Sequence, residues 1–140
     1  MQVAGGVEDF DTSVLVTAAL SYGEEGFTRT SRTNQTDVSA DGVLNSIGSF
    51  GRGSAVGDQV IGDEYAIIGR WIDGTSNLIN RSYTSAADDA VHWAIASVAN
   101  RDFTLTGSIT YDLLGATPPT YSAGRTAPGT FDGSLAINWQ

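Results

Sequence analysis

Cysteine and lysine are absent from the 140 residues, and histidine occurs once, as His92. Each absence removes chemistry. Without cysteine there is no disulfide, no thiol nucleophile and no thiolate-bound zinc or iron–sulfur site. Without lysine there is no Schiff base, no phosphate-loop lysine and no Ser–Lys pair. A single histidine cannot build a multi-histidine metal cage. No apolar run approaches the ~18 residues that a membrane-spanning helix needs. The first residues carry neither a basic segment nor a long apolar core of the secretory kind. That leaves three expectations: a cytosolic protein, a mature exported one, or a piece of a longer chain.

What remains is acidic. Sixteen Asp and Glu face seven basic residues, all arginine, for a net charge of −9. Phosphate backbones and anionic lipid surfaces call for the opposite sign, so nucleic acid is not an expected partner, and neither is an anionic membrane. Hydrophobic residues make up 41% of the chain, enough for one modest core, and the length suits a single β domain over 1–140, alone or within a longer polypeptide.

The apolar residues recur with period two, the signature of half-buried strands. Phe103, Leu105, Gly107, Ile109 and Tyr111 alternate with polar residues, and Leu135, Ile137 and Trp139 repeat the pattern at the end of the chain. Val14, Val16, Ala18, Leu20 and Tyr22 form one face of an early strand. Tyr65, Ile67, Gly69 and Trp71 form a second face, and Val91, Trp93 and Ile95 a third. Three Asp-Gly pairs, at 41–42, 73–74 and 132–133, supply the positive-φ residues of tight turns. Asp73-Gly74 then reads as a hairpin turn between Tyr65–Ile72 and Thr75–Tyr83. Gly23-Glu-Glu-Gly26 reads as another turn, Thr28–Thr36 as a polar edge strand or loop, and Gly51–Gly57 as a flexible loop. Ser85–Asp89 is the one plausible helical turn. The expected fold is all-β: an antiparallel up-and-down barrel of lipocalin size, with a two-sheet sandwich as the alternative.

Candidate chemistry is sparse. Asp88-Asp89 lacks the repeating oxygen pattern of a calcium loop and reads as a solvated acidic turn. The glutamates Glu8, Glu24, Glu25 and Glu64 could furnish a glycosidase pair beside sugar-stacking tryptophans, but no pair is singled out by its setting. Gly51–Gly57 is glycine-rich, yet it precedes no helix and holds no lysine, so it is no phosphate loop. Trp71 and Trp93 are in phase with apolar neighbours and read as core; in a hollow barrel they would instead line a ligand pocket. His92 faces away from Val91, Trp93 and Ile95. Arg70 lies within a strand between Gly69 and Trp71, where a planar cation can fork onto a carboxylate, and it is the charged residue expected to be buried. Trp71, Trp93, His92 and Arg70 are the candidate ligand-binding residues. No catalytic residue, metal site or cofactor is expected.

The second half of the chain carries a longer pattern. Ile68-Gly-Arg70-Trp71-Ile-Asp-Gly74 is followed by Val91-His92-Trp93-Ala-Ile95, then by Thr106–Thr120 and Gly133–Trp139. Over roughly 65–140 this order resembles the β-barrel domain associated with FecR-type bacterial surface and periplasmic proteins, itself similar to transferrin-binding-protein-like barrels. The resemblance implies a Gram-negative protein of the periplasm, cell surface or extracellular space. It also implies a non-enzymatic barrel for binding a protein or small ligand, with a link to iron or haem handling that brings His92 into view. It implies further strands beyond Trp139, which the N-terminal 60 residues, a longer polypeptide or a second chain would supply. An alternative function follows from the strand-rich, Ser/Thr/Gly-rich composition: a structural subunit that assembles into an oligomer or filament by strand pairing. A carboxylate-based glycan hydrolase is a distant third.

Overall fold

Period-two alternation commits one side of each strand to the interior, and in the computed structural model two sets of such strands face each other. The structure describes residues 6–23, 27–97, 107–112, 115–119, 127, 129–130 and 132–139. The strands in chain order are β1 (Val16–Tyr22), β2 (Phe27–Thr33), β3 (Thr36–Val38), β4 (Leu44–Ile47), β5 (Phe50–Gly51) and β6 (Val56–Gly62). They continue with β7 (Ala66–Ile72), β8 (Gly74–Leu78), β9 (Ser82–Ser85), β10 (Val91–Ser97), β11 (Gly107–Asp112) and β12 (Ser134–Trp139). Helix is limited among the described residues to one 3-10 turn, Val7–Asp9, and none is long and apolar enough to cross a membrane.

Two five-stranded antiparallel sheets result. The first has the order β2-β1-β10-β7-β6 and the second the order β3-β4-β5-β8-β9. Neither closes on itself, so the two-sheet alternative describes this chain and the closed up-and-down barrel does not. The physical reason is the path of the chain. It leaves the first sheet after β2, returns for β6 and β7, leaves again for β8 and β9, and returns for β10. The strands at the four sheet edges therefore never meet one another. β11 and β12 form a separate two-stranded hairpin that belongs to neither sheet.

Asp73-Gly74 shows the switch and corrects the expected hairpin. β7 lies in the first sheet and β8 in the second, so the pair is a corner between layers. Asp73 adopts φ 53°, and a side chain at Gly74 would collide with the backbone of Ala55. Thr75–Tyr83 is likewise two strands. Ile79 and Asn80, both at positive φ, make a tight turn between β8 and β9. That turn has no glycine to announce it. Ser85–Asp89 is no helix: Ala86 and Asp89 exchange backbone hydrogen bonds across a tight turn. Asp41-Gly42 does turn β3 into β4, with Gly42 at φ 86°. Of the expected early turn at 23–26, residues 24–26 lie outside the described set, as do residues 103–106 of the strand expected there. The polar stretch after Gly26 forms β2, an edge strand.

The core lies between the sheets. Val16, Ala18, Leu20, Ile67, Trp71, Val91, Trp93 and Ile95 from the first sheet meet Leu44, Ile47, Phe50 and Leu78 from the second. Two contacts tie the layers by name. The Trp71 indole Nε1–H donates to the Leu44 carbonyl at 2.8 Å. The rings of Tyr22 (β1) and Tyr83 (β9) lie 5.4 Å apart at a tilt of 55°, a favourable aromatic geometry. Buried Ser76 donates to the Arg52 carbonyl, so a polar residue enters the core without an orphaned hydroxyl.

Trp93 depends on the glycine opposite it. Gly69 and Trp93 are register partners on β7 and β10. A Cβ at Gly69 would fall inside the van der Waals radius of the Trp93 six-membered ring. The indole thus covers the bare backbone, an aromatic–glycine pairing that needs glycine for space and not for its dihedral freedom. Gly69→Ala is expected to cost about 1–3 kcal/mol by overpacking, measured as a lowered urea midpoint with an unchanged m-value.

Candidate functional site

The outer face of the first sheet carries the polar residues that the sequence singled out. β10 buries Val91, Trp93, Ile95 and Ser97 and leaves His92, Ala94 and Ala96 half-buried on the other side. Register then brings neighbours to that side: Arg70 beside His92, Ile68 beside Ala94, and from β1 Ser21 and Ala19 opposite the same two residues. The segment 115–119 lies across this face. Its Gly115 backbone packs against Ile61, where a side chain would not fit, and Thr117 reaches His92. The His92 Nδ1 and the Thr117 hydroxyl are 3.1 Å apart.

Beside this pair is an open groove of about 250 Å³. Ala19, Ser21, Ile68 and Ala94 supply its walls, and His92 and Thr117 its polar end. Burial, and then the neighbouring Arg70 guanidinium, hold the His92 pKa below its ordinary value. The imidazole is accordingly neutral at pH 7 and presents a hydrogen-bonding group without charge. The sign for stability follows. On acidification the unfolded chain takes up the histidine proton first, near the ordinary value of about 6.5. Stability therefore falls from that pH downward, until the depressed folded-state value is passed. His92→Asn is expected to flatten this part of the profile, read as urea midpoints compared between neutral and mildly acidic buffer.

Arg70 is 4% exposed and fully engaged. Its Nε donates to Asp58 Oδ2 at 3.1 Å, its second terminal nitrogen contacts the same oxygen, and Nη1 donates to the Ala87 carbonyl at 2.9 Å. The ion pair fastens β7 to the edge strand β6 and to the turn before β10. Trp71 and Trp93 lie on the opposite side of the sheet, in the core, and are 0% and 3% exposed. Among the four candidate residues the fold thus joins Arg70 and His92 on one face and turns both tryptophans to the core, although Trp93 is also among the residues that line the groove. The Trp93 Nε1 has no hydrogen-bond partner among the described residues.

A second cleft, of about 320 Å³, lies between the start of β6 and the β3–β4 turn, lined by Ser39, Asp41, Asn45 and Arg52. The sequence marked Asp41 as a turn residue and Arg52 as part of a glycine-rich loop, but not that the two segments meet. Their polar atoms largely satisfy one another. Arg52 donates to Asn45 Oδ1 at 3.0 Å and to the Ala55 carbonyl at 2.6 Å, and Asn45 donates to Asp37 at 3.3 Å. A hydrogen bond from the Ser39 hydroxyl holds Asp41 below the usual carboxylate range. Such mutual saturation fits a structural network that fixes the loop 52–55. The loop expected at Gly51–Gly57 is a tight turn between β5 and β6, and those two strands take up its ends. No group of three or more His, Asp or Glu that could hold a metal ion occurs among the described residues.

The chain matches no protein-family model, no curated protein and no solved structure. The likeness to FecR-associated barrels therefore rests on the sequence motifs quoted for it.

Proposed function

We propose that this chain is a non-enzymatic binding domain of a bacterial surface or periplasmic protein, and that its ligand site is the groove on the outer face of the first sheet. The observation that supports this most is the combination at that groove: a largely apolar floor ending in a neutral, half-buried histidine held by a threonine hydroxyl. Ligand sites commonly pair apolar walls with a few placed polar groups. A volume of about 250 Å³ lies just under the usual range of about 300–1,000 Å³ and suits a small apolar molecule with one hydrogen-bonding end. The FecR-type resemblance supports the location and the absence of catalysis.

The test uses N-phenyl-1-naphthylamine, a neutral apolar fluorophore. Saturable fluorescence enhancement is expected with the parent chain. Ala94→Asp, which places a charge on the groove floor without touching the core, is expected to reduce it at least about tenfold, as a desolvated unpaired charge would. Absence of saturable enhancement with the parent chain rejects the reading. Haem titrated in parallel examines the iron link: a Soret shift that His92→Ala removes would place haem at this groove.

A further inference from the structure

Open sheets expose strand edges, and three of the four edges here are blunted. β6 breaks register between Asp58 and Ile61, with Gln59 at φ 52°. β3 has three residues and its own register shift, and β9 has four. Short, bulged edges are the ordinary protection against further pairing. β2 is different. It runs seven residues in unbroken register with β1, contains no proline or glycine, and is rich in β-branched threonine. Among the described residues its other edge has no strand partner.

The hairpin β11–β12 has the complementary deficiency. Its six register pairs are uninterrupted, and they alternate in character: Ile109 opposite Ile137 and Tyr111 opposite Leu135, with Ser108 opposite Asn138 between turns of that pattern. Leu135 is 56% exposed. A two-stranded ribbon is marginal in water and gains independent stability with a third strand or a packed face. Charge favours one particular docking. β2 holds two of the seven arginines, Arg29 and Arg32, and none of the sixteen acids. Asp112, the last residue of β11, and Asp132, two residues before β12, lie at one end of the hairpin, since Asp112 pairs with Ser134. In a chain of net charge −9, the cationic edge is where a second copy is attracted.

We propose that the chain self-associates head to tail, the β11–β12 hairpin of one copy extending the first sheet of the next along β2. Such a contact is heterologous, so it propagates unless rotation closes a ring. It is separate from the groove, since none of the described residues lining the groove belongs to β2 or the hairpin.

Sedimentation velocity of the full chain over a wide concentration range is the test. The mass is expected to rise above the 14.6 kDa of one chain with concentration, and to fall back as added salt screens the arginines. Arg29→Glu/Arg32→Glu reverses the charge of the accepting edge, and Ala136→Pro breaks the donating hairpin at an exposed position. Each variant alone is expected to associate at least about tenfold more weakly. Mixed one to one, they are expected to form a dimer and nothing larger, because one accepting edge and one hairpin survive between them. Circular dichroism of each variant confirms that it is folded, and a mixture of variants that fail to fold cannot yield the dimer. A parent chain that stays monomeric throughout overturns the proposal. So does an oligomer that neither variant weakens, or a mixture that stays monomeric.

Discussion

Trp71→Ala is expected to lower the stability of this domain by about 3–5 kcal/mol, the largest single loss available in its core. The residue is fully buried, and it belongs to the first sheet while its indole bonds to the second. Truncation removes the largest buried side chain and leaves a cavity at the contact between layers. It also strands the Leu44 carbonyl, whose residue is itself fully buried. Since whole domains are stable by only about 5–15 kcal/mol, the variant loses a large share of the total. Trp71→Phe separates the two causes. Most of the apolar volume stays, the Nε1 donor goes, and the expected cost drops to the about 1–3 kcal/mol of an unsatisfied buried acceptor. Urea unfolding of the two variants beside the parent reads the difference. Equal costs for Ala and Phe would mean that the hydrogen bond, and not the packing, joins the sheets.

Asp58→Ala is expected to destabilise more than Arg70→Met, although both break the same ion pair. The reason is the asymmetry of burial: Arg70 is 4% exposed and Asp58 32%. Removing Asp58 leaves a guanidinium without a countercharge under the 85–90 turn, held only by the Ala87 carbonyl. Uncompensated buried charges cost about 3–5 kcal/mol, and the partial exposure of Asp58 places this case toward the lower end. Removing Arg70 instead leaves a carboxylate that water reaches, while methionine fills the space of the stem, so a cost nearer about 1 kcal/mol is expected. The measurement is again the urea midpoint. The reverse order of the two variants would show that the guanidinium's bond to the Ala87 carbonyl, lost only with Arg70, matters more than the countercharge.

These predictions separate what could be read along the chain from what could not. Alternation marks Val14–Tyr22, Tyr65–Trp71 and Val91–Ile95 as strands with one buried face, because side-chain direction in a strand is a local property of the backbone; Val14 and Tyr65 fall just outside the strands that form. The same alternation sets His92 apart from Val91 and Trp93. Arg70, flanked by Gly69 and Trp71, signals a buried cation before any partner is known. Its partner Asp58 is not legible, because β6 joins β7 with a register shift that no local pattern announces. Thr117 is not legible either, since segment 115–119 reaches His92 across twenty-five positions of sequence. Asp73-Gly74 has the residues of a hairpin turn and serves as a corner, because turn chemistry sets the local dihedrals while the sheet that receives the next strand is chosen by long-range packing.

The sequence by itself determined the class of the protein: an acidic all-β chain with no thiol, no lysine and one histidine, whose central strands β1, β7 and β10 bury one face. Those properties follow from composition and from the period of two, both of which act residue by residue. Only the tertiary structure decided that the strands form two open sheets instead of a closed barrel. It decided that Trp71 and Trp93 fill the space between the sheets, and that His92, Thr117 and the alanines of the outer face share a groove. It also left β2 at a sheet edge and, among the described residues, the β11–β12 hairpin outside both sheets. The physical reason is that strand order and edges are set by which apolar faces pack together, and by which corners the close approaches at Gly74 and Ala55 permit. Those choices are made between segments far apart in the chain.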